Sequence, residues 1–415
     1  MADQRLDDLA RRARAASREL SRAPSGTRDA ALGASADLVE LRSEAILEAN
    51  AGDVERAEEA GTPAALVDRL RLSRARVSAM AEGLRTLAAI PDPVGRVVDG
   101  WVRPNGLRVR RVRVPLGVVG VIYEGRPNVT ADAAGLALRS GNAVILRGSS
   151  SALDSNRAVA ACHSEALAKV GLPPDAALLV EDTSREGAAA FMGLTGGIDC
   201  LVPRGGPSLL AAVAEHATVP VVTDGAGNCH VYVDESADID TAVSIVVNAK
   251  RSRPGVCNAV ETLLVHRSVA PELLAALAPA MEGVELRADP RAAALLPASV
   301  AATEQDWSTE YLDLVLAVGV VDSLDEALRH IARYGTGHSE AIVTTDVRAS
   351  TRFVGEVDAA AVLVNCSTRF VDGSELGFGA EIGISTQKLH VRGPMGAEAL
   401  TCVKLVIEGD GQVRG

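Results

Sequence analysis

Apolar and polar positions keep one rhythm over much of the chain from Val118 onward. Val118–Tyr123, Ala143–Leu146, Ala177–Val180, Asp199–Val202 and Val219–Val222 read as buried strands. Between them, Thr130–Arg139, Asp154–Lys169, Ser184–Met192 and Pro207–His216 carry helical spacing. Ser184 opens its helix, but Gly187 stands where a capping box wants Glu or Gln, so that cap is expected to be weak. This alternation predicts a parallel sheet with crossover helices, whose ligands sit where strands end.

The rhythm resumes further on. Ile239, Val243, Val246 and Val247 predict a helix from about Ile239 to Lys250. Leu263–Val265, Val315–Val321, Ile342–Thr344 and Val362–Val364 read as strands, and Asp322–Arg329 as a capped helix. The fold class is therefore α/β, with two Rossmann-like three-layer domains.

Outside these repeats the pattern changes. Residues 1 to about 92 read as helices, with one stripe at Leu6, Leu9, Ala10, Ala13 and Ala16 and another at Leu38, Leu41, Ala45, Ile46 and Ala49. Leu107–Val114 alternates Arg with Val, the period of a strand with one wet face. One doubled Arg suggests a bulge, and Asn105-Gly106 before it a hairpin turn. Cys402–Ile407 is a strand without an obvious local partner. The two are expected to form a β-ribbon that serves oligomerisation.

Composition narrows the function. The formal net charge is −12 and no block of like charges stands out, which argues against nucleic acid as a partner. Aromatic residues are 2% of the chain, too few for base-stacking platforms. No apolar run approaches the roughly 20 residues of a membrane span, and the polar, acidic start is unlike a signal peptide. The 6 cysteines are scattered, with no C-x-x-C pair, which excludes a zinc site or disulfide framework and suits a reducing cytoplasm.

One of those cysteines stands out. Lys250, Arg251 and Arg253 precede a Pro254-Gly255 turn that delivers Cys257 between small residues. Cations lower a thiol's pKa, and they also hold an anionic group such as a phosphate. Two strand ends, Arg147-Gly-Ser-Ser-Ser151 and Pro203-Arg-Gly-Gly-Pro207, look like a phosphate and ribose cradle, although neither is G-x-G-x-x-G. Against each stands a plainer reading: cations that complement a helix end, a cysteine that fills a core, glycines that end a strand.

Longer motifs decide between them. Gly125-Arg-Pro-Asn128, Arg204-Gly-Gly206, Gly227-Asn-Cys-His230, Arg253-Pro-Gly-Val-Cys-Asn258, Gly335-Thr-Gly-His-Ser-Glu340 and the run from Gly377 to His390 resemble the gamma-glutamyl phosphate reductases, a family of the aldehyde dehydrogenase superfamily. The resemblance runs from about Val114 to the C-terminus, and the helical start fits it. It implies NADPH-dependent reduction of L-glutamyl 5-phosphate to the semialdehyde and phosphate, in the cytoplasm, by a homo-oligomer. Glutamate 5-kinase, which supplies the substrate, is the implied partner; nucleic acid, membrane and metal are not.

Residue by residue, the resemblance makes Cys257 the nucleophile that carries a thioester and Asn128 the oxyanion-hole asparagine. Arg147 falls where relatives hold the adenosine ribose with a lysine, and together with Ser149 it would bind the 2′-phosphate and favour NADP(H). Arg204, Gly205 and Gly206 belong to the cofactor cradle, and Glu310 resembles the glutamate that holds the nicotinamide ribose, with a surface carboxylate as its alternative. Arg253, His338, Ser339 and Arg369 are candidates for the glutamyl group, and Asp224 is read as structural. The implied division is 1–225 for the NADP(H)-binding domain, 226–366 for the catalytic domain, 98–116 with 396–415 for the ribbon, and 367–395 for a segment returning to the cofactor domain. The thiol is expected to face the first domain's strand ends across a cleft. The alternative activity is that of a non-phosphorylating aldehyde dehydrogenase oxidising a small semialdehyde. A non-catalytic nucleotide-binding relative is disfavoured by Cys257 and Asn128, and a cysteine hydrolase by the lack of a recognisable histidine motif.

Overall fold

The computed structural model describes residues 2–414, which divide into two compact units. One takes in the chain through Thr223, together with Gly377–Gly383 and the segment from Met395 onward. The other takes in Asp224–Leu376 and Ile384–Pro394, so the segment 367–395 is shared by both.

The first unit opens with helices α1 (Ala2–Leu20), α2 (Ser25–Leu41), α3 (Ser43–Glu59), α4 (Ala64–Leu70) and α5 (Arg74–Ala89). The stripe on α1 packs as expected, with Leu6, Ala10, Ala13 and Ala16 buried. The stripe over 38–49 does not, because the chain breaks at Arg42 between α2 and α3 and the helical phase restarts. Leu38 and Ile46 are buried, while Leu41 at the end of α2 is 79% exposed.

Strands β1 (Val97–Val102), β2 (Arg108–Pro115) and β3 (Val118–Tyr123) follow, then α6 (Asn128–Arg139), β4 (Ala143–Arg147), α7 (Leu153–Lys169), β5 (Ala177–Leu179), α8 (Arg185–Met192), β6 (Cys200–Arg204) and α9 (Pro207–His216). Strands β5, β4, β3 and β6 lie side by side in that order, all parallel. Every residue of β3 and β4 is buried, as expected of strands covered on both faces. The Ser184 cap is better than its sequence promised: its hydroxyl accepts from the Gly187 N–H, and Asp182 accepts from the Ser184 hydroxyl and N–H. Val219–Val222 does not form the expected strand. Leu201 N–H reaches the Pro220 carbonyl and Val222 N–H returns to Leu201, but Pro220 has no N–H with which to extend a ladder.

The second unit contains β7 (Cys229–Val233), α10 (Ile239–Arg251), β8 (Val260–His266), α11 (Ala270–Ala280), β9 (Glu285–Ala288), α12 (Pro290–Ala293), β10 (Val300–Ala301), β11 (Val315–Val321), α13 (Leu324–Tyr334), β12 (Ser339–Val343), α14 (Val347–Glu356) and β13 (Ala361–Val364). Its sheet runs β10, β9, β11, β8, β7, β12, β13, with parallel pairing throughout. Asp238 caps α10 by accepting from the Thr241 N–H at 2.9 Å. The buried face of α10 is Ala242, Ile245, Val246 and Ala249, shifted from the predicted stripe, with Ile239, Val243 and Val247 packed at its edge.

A short antiparallel pair, β14 (Ile384–Ser385) and β15 (Gly393–Pro394), precedes the last strand, β16 (Thr401–Glu408). Strand β16 pairs antiparallel with β2, and β2 with β1, which makes the expected ribbon three-stranded. Gly106, at φ 87°, supplies the positive φ of the hairpin turn. The irregularity lies opposite the doubled Arg and not within it: Val97 and Asp99 of β1 face Val112 and Arg111, which leaves Val98 as the extra residue.

Candidate active site

In the second unit, Cys257 lies on a turn between α10 and β8 and is partly buried against that unit's core. Gly227, which precedes β7, packs on it from the side. A Cβ on Gly227 would lie 1.6 Å from the Cys257 carbonyl oxygen, so no other residue fits there without moving the turn. Cys229 is fully buried and its thiol donates to the same carbonyl at 3.1 Å. Burial holds the Cys229 thiol well above the usual range, and the carboxylate of Glu340 pushes it further. Cys229 is therefore a neutral support beneath the Cys257 turn.

The three cations ahead of Cys257 have different fates. Lys250 is completely buried and its ammonium meets Glu261, also completely buried, at 2.6 Å. Arg251 donates to the Ala280 carbonyl at the end of α11. Both stand in the last turn of α10, where they complement its dipole, so for these two the plainer reading was the right one. Arg253 is exposed on the turn itself. It is joined by Arg369, which donates to the side chain of Asn258, the residue after Cys257, and to the Ser252 hydroxyl at 3.2 Å. Burial lowers the Arg369 pKa and the charge of Arg253 lowers it further, while Asp372 and Cys257 raise it. Two arginines and the thiol thus share one electrostatic neighbourhood.

Glu310 is not a surface carboxylate. Its Oε1 accepts the Gly227 N–H at 2.7 Å, and burial raises its pKa, with Asp224 adding to the rise. Asn228 fixes the same loop, its amide donating to the carbonyls of Trp307 and Tyr334. His338 and Ser339 are both fully buried. The His338 ring lies 2.8 Å from the Ser339 hydroxyl and 3.7 Å from the Cys229 sulfur, and burial lowers its pKa to about 4. They support the turn from below; as glutamyl ligands they would need an exposure that they lack.

In the first unit, three adjacent parallel strands end in a charged residue followed by glycine: Glu124-Gly125 after β3, Arg147-Gly148 at β4 and Arg204-Gly205 at β6. Arg147 is 7% exposed and donates to the Ser184 carbonyl at 2.6 Å, while its Nε–H is buried without a partner. Burial lowers the Arg147 pKa against the attraction of Asp182. The Ser149 and Ser151 hydroxyls lie 2.7 Å apart and face solvent. Gly206 caps α9, and its N–H donates to Glu124 at 3.0 Å. A Cβ on Gly205 would meet Glu124 and Leu209 at 2.7 Å. Asn128 begins α6, exposed, and its amide donates to Asp132 at 3.0 Å. Burial raises the Asp132 carboxyl to about 6, against the bond from Asn128 and the charge of Arg204. An amide nitrogen carries two hydrogens, so one remains for another acceptor.

The aldehyde dehydrogenase family model matches residues 1–313. The gamma-glutamyl phosphate reductase of Moorella thermoacetica is 56% identical over 97% of each chain. The chain belongs to the gamma-glutamyl phosphate reductase family of the aldehyde dehydrogenases. The family's Thermobifida fusca member is 53% identical over 98% of each chain. The crystal structure of the Thermotoga maritima member superposes with a TM-score of 0.95 at 47% identity, covering 99% of this chain and 100% of that one. Propionaldehyde dehydrogenase from Rhodopseudomonas palustris shares the fold at a TM-score of 0.69 and 18% identity.

Within this family fold the second unit brings together Cys257, Arg253, Arg369 and Glu310, and the first brings together Arg147, Ser149, Arg204, Gly205, Gly206 and Asn128. Cys229, Glu124 and Asp132 were missed. Each acts through a contact distant in sequence or through a neighbour's amide, and no periodicity marks such contacts. Among the described residues no cluster of His, Cys, Asp and Glu could hold a metal, and no helix is long and apolar enough to cross a membrane.

Proposed function

We infer that the chain catalyses NADPH-dependent reduction of L-glutamyl 5-phosphate to L-glutamate 5-semialdehyde and phosphate, a step of proline biosynthesis in the cytoplasm. The observation that carries this reading is a partly exposed thiol on a backbone-locked turn beside two arginines, in a chain 56% identical to a named reductase over nearly its whole length. Cys257 attacks the acyl carbonyl, the bond to phosphate oxygen breaks, and a glutamyl thioester remains. Covalent catalysis of this kind divides one difficult step into two. Arg253 and Arg369 supply positive charge for the phosphate and the glutamyl carboxylate. By the resemblance, Asn128 is the oxyanion-hole donor, and the second hydrogen of its amide is the one given that part; such a donor contributes about 3 kcal/mol.

The strand ends of the first unit fit a dinucleotide. The unpartnered Arg147 Nε–H and the Ser149 hydroxyl suit a 2′-phosphate, and Gly205 and Gly206 allow close approach at the start of α9. Glu310 would hold the nicotinamide ribose. NADPH, when bound, supplies the hydride that reduces the thioester. The Cys257 thiolate then leaves as the aldehyde carbonyl re-forms.

The ribbon supports a homo-oligomer: Val97, Val98, Trp101, Val102, Leu405 and Ile407 are exposed apolar residues on it. Glutamate 5-kinase is the partner expected to deliver the labile acyl phosphate. The test is NADP⁺ reduction with glutamate 5-semialdehyde, with and without phosphate, in wild type and Cys257→Ala. The reading requires phosphate-dependent turnover that the alanine variant lacks. Turnover independent of phosphate would make the chain a non-phosphorylating dehydrogenase instead.

A further inference from the structure

The buried pair Lys250–Glu261 brackets the nucleophile turn, seven residues before Cys257 and four after it. Its two charges meet at 2.6 Å with both side chains fully buried, which closes the base of the turn. A buried ion pair adds little net stability over an apolar pair of the same size, but it fixes geometry. The second oxygen of Glu261 is also occupied: it accepts the Leu312 N–H at 3.1 Å. Leu312 has φ 54°, a left-handed conformation that a leucine rarely adopts unless its surroundings impose it.

Leu312 connects two parts of the site. Its carbonyl oxygen lies 3.6 Å from where a Cβ on Gly255 would stand, so it packs on the nucleophile turn. Two residues before it, Glu310 accepts the Gly227 N–H at 2.7 Å, and Gly227 is pressed on the Cys257 carbonyl. The contacts form a closed circuit within one unit: Lys250, Glu261, Leu312, Glu310, Gly227, Cys257.

We propose that Glu261, its buried charge balanced by Lys250, is a positioning residue: its second carboxylate oxygen holds Leu312 left-handed and thereby fixes Glu310 and the Gly227 N–H against the Cys257 turn. The pair makes no contact with substrate in this role. The cofactor readout rests on the function inferred above, in which Glu310 holds the nicotinamide ribose.

Two uncharged double variants separate positioning from simple burial of charge. Lys250→Met with Glu261→Gln keeps an oxygen for the Leu312 N–H, whereas Lys250→Met with Glu261→Leu removes it. The first should keep the NADPH KM within about twofold of wild type. The second should raise it about tenfold with kcat changed less than about threefold. Equal KM values in the two would overturn the proposal. Glu310→Ala is the control for the functional reading: an unchanged NADPH KM there would refute the cofactor role of Glu310 and leave the positioning claim to a second readout. That readout is alkylation of Cys257 by iodoacetamide without cofactor. A rate altered more than about threefold in the leucine variant but not in the glutamine variant supports the proposal, and equal rates overturn it.

Discussion

The small sheet presents its polar residues where its strands end, and the large sheet presents them where its strands begin. Glu124, Arg147 and Arg204 stand at the carboxyl ends of β3, β4 and β6. Gly227 precedes β7, Cys257 precedes β8, Glu310 precedes β11 and His338 precedes β12, and these four strands are neighbours in the order β11, β8, β7, β12. The difference has an electrostatic meaning. In a parallel sheet the carboxyl ends of strands lead into helix N-termini, whose dipoles and free N–H groups favour anions. The amino ends meet helix C-termini, such as that of α10 at Arg251, whose carbonyls repel anions. A cofactor phosphate can therefore use backbone in the first unit. In the proposed reaction an acyl phosphate at Cys257 would draw its positive charge from side chains, the part that the proposal gives to Arg253 and Arg369.

The sharpest way to break this contrast is at Gly227, where backbone packing replaces side-chain recognition. Gly227→Ala forces a methyl group onto the Cys257 carbonyl, at 1.6 Å in the native geometry. We expect about 10²-fold or greater loss of kcat/KM and a loss of about 1–3 kcal/mol in unfolding free energy. Steady-state kinetics and denaturant melts read both, and wild-type kinetics would remove backbone locking from the account. Next comes Arg369→Leu, which should raise the KM for phosphate in the reverse direction about ten- to a hundredfold while leaving that for NADP⁺ unchanged. Arg147→Ala should weaken NADPH about tenfold and NADH little, since only NADPH carries the 2′-phosphate.

The smallest expected effect is in pH dependence. Burial raises the Asp132 carboxyl from 3.8 to about 6, so the folded state holds a proton that the unfolded state has already released. Folding stability should fall as pH rises from about 4 through 6 and level off above, because ionising this carboxylate costs more in the folded protein. The ionised form is the better acceptor for the Asn128 amide, so activity should lose a few-fold as pH drops through about 6. Asp132→Asn should flatten that acidic limb, and a limb unchanged in the variant would assign it to another group.

How much of this was legible depends on the range of the interaction. Strands such as Val118–Tyr123 and Val315–Val321 were read to the residue, because burial along all or nearly all of the strand leaves an uninterrupted apolar run. Errors arose where local pattern competed with something else. Leu41 kept the helical period only by bridging a break at Arg42, and Val219–Val222 looked like a strand until Pro220 denied it a ladder. The candidate nucleophile was legible from its turn and its motif. Its supports were not: Gly227 lies thirty residues before Cys257, and Glu310 reaches Gly227 from 83 residues away. The fates of Lys250 and Arg251 show the same limit. A run of cations gives charge but not direction, and only the packed structure shows that one is neutralised inside and another turned toward α11.

The central claim is a glutamyl thioester on Cys257, and it is tested by mixing the enzyme with glutamate 5-semialdehyde and NADP⁺ in the absence of phosphate. The account predicts a burst of about one NADPH per active site, then a halt, with the glutamyl adduct mapping to the Cys257 peptide and turnover resuming when phosphate is added. Steady turnover without phosphate, or an adduct on any other residue, would contradict it.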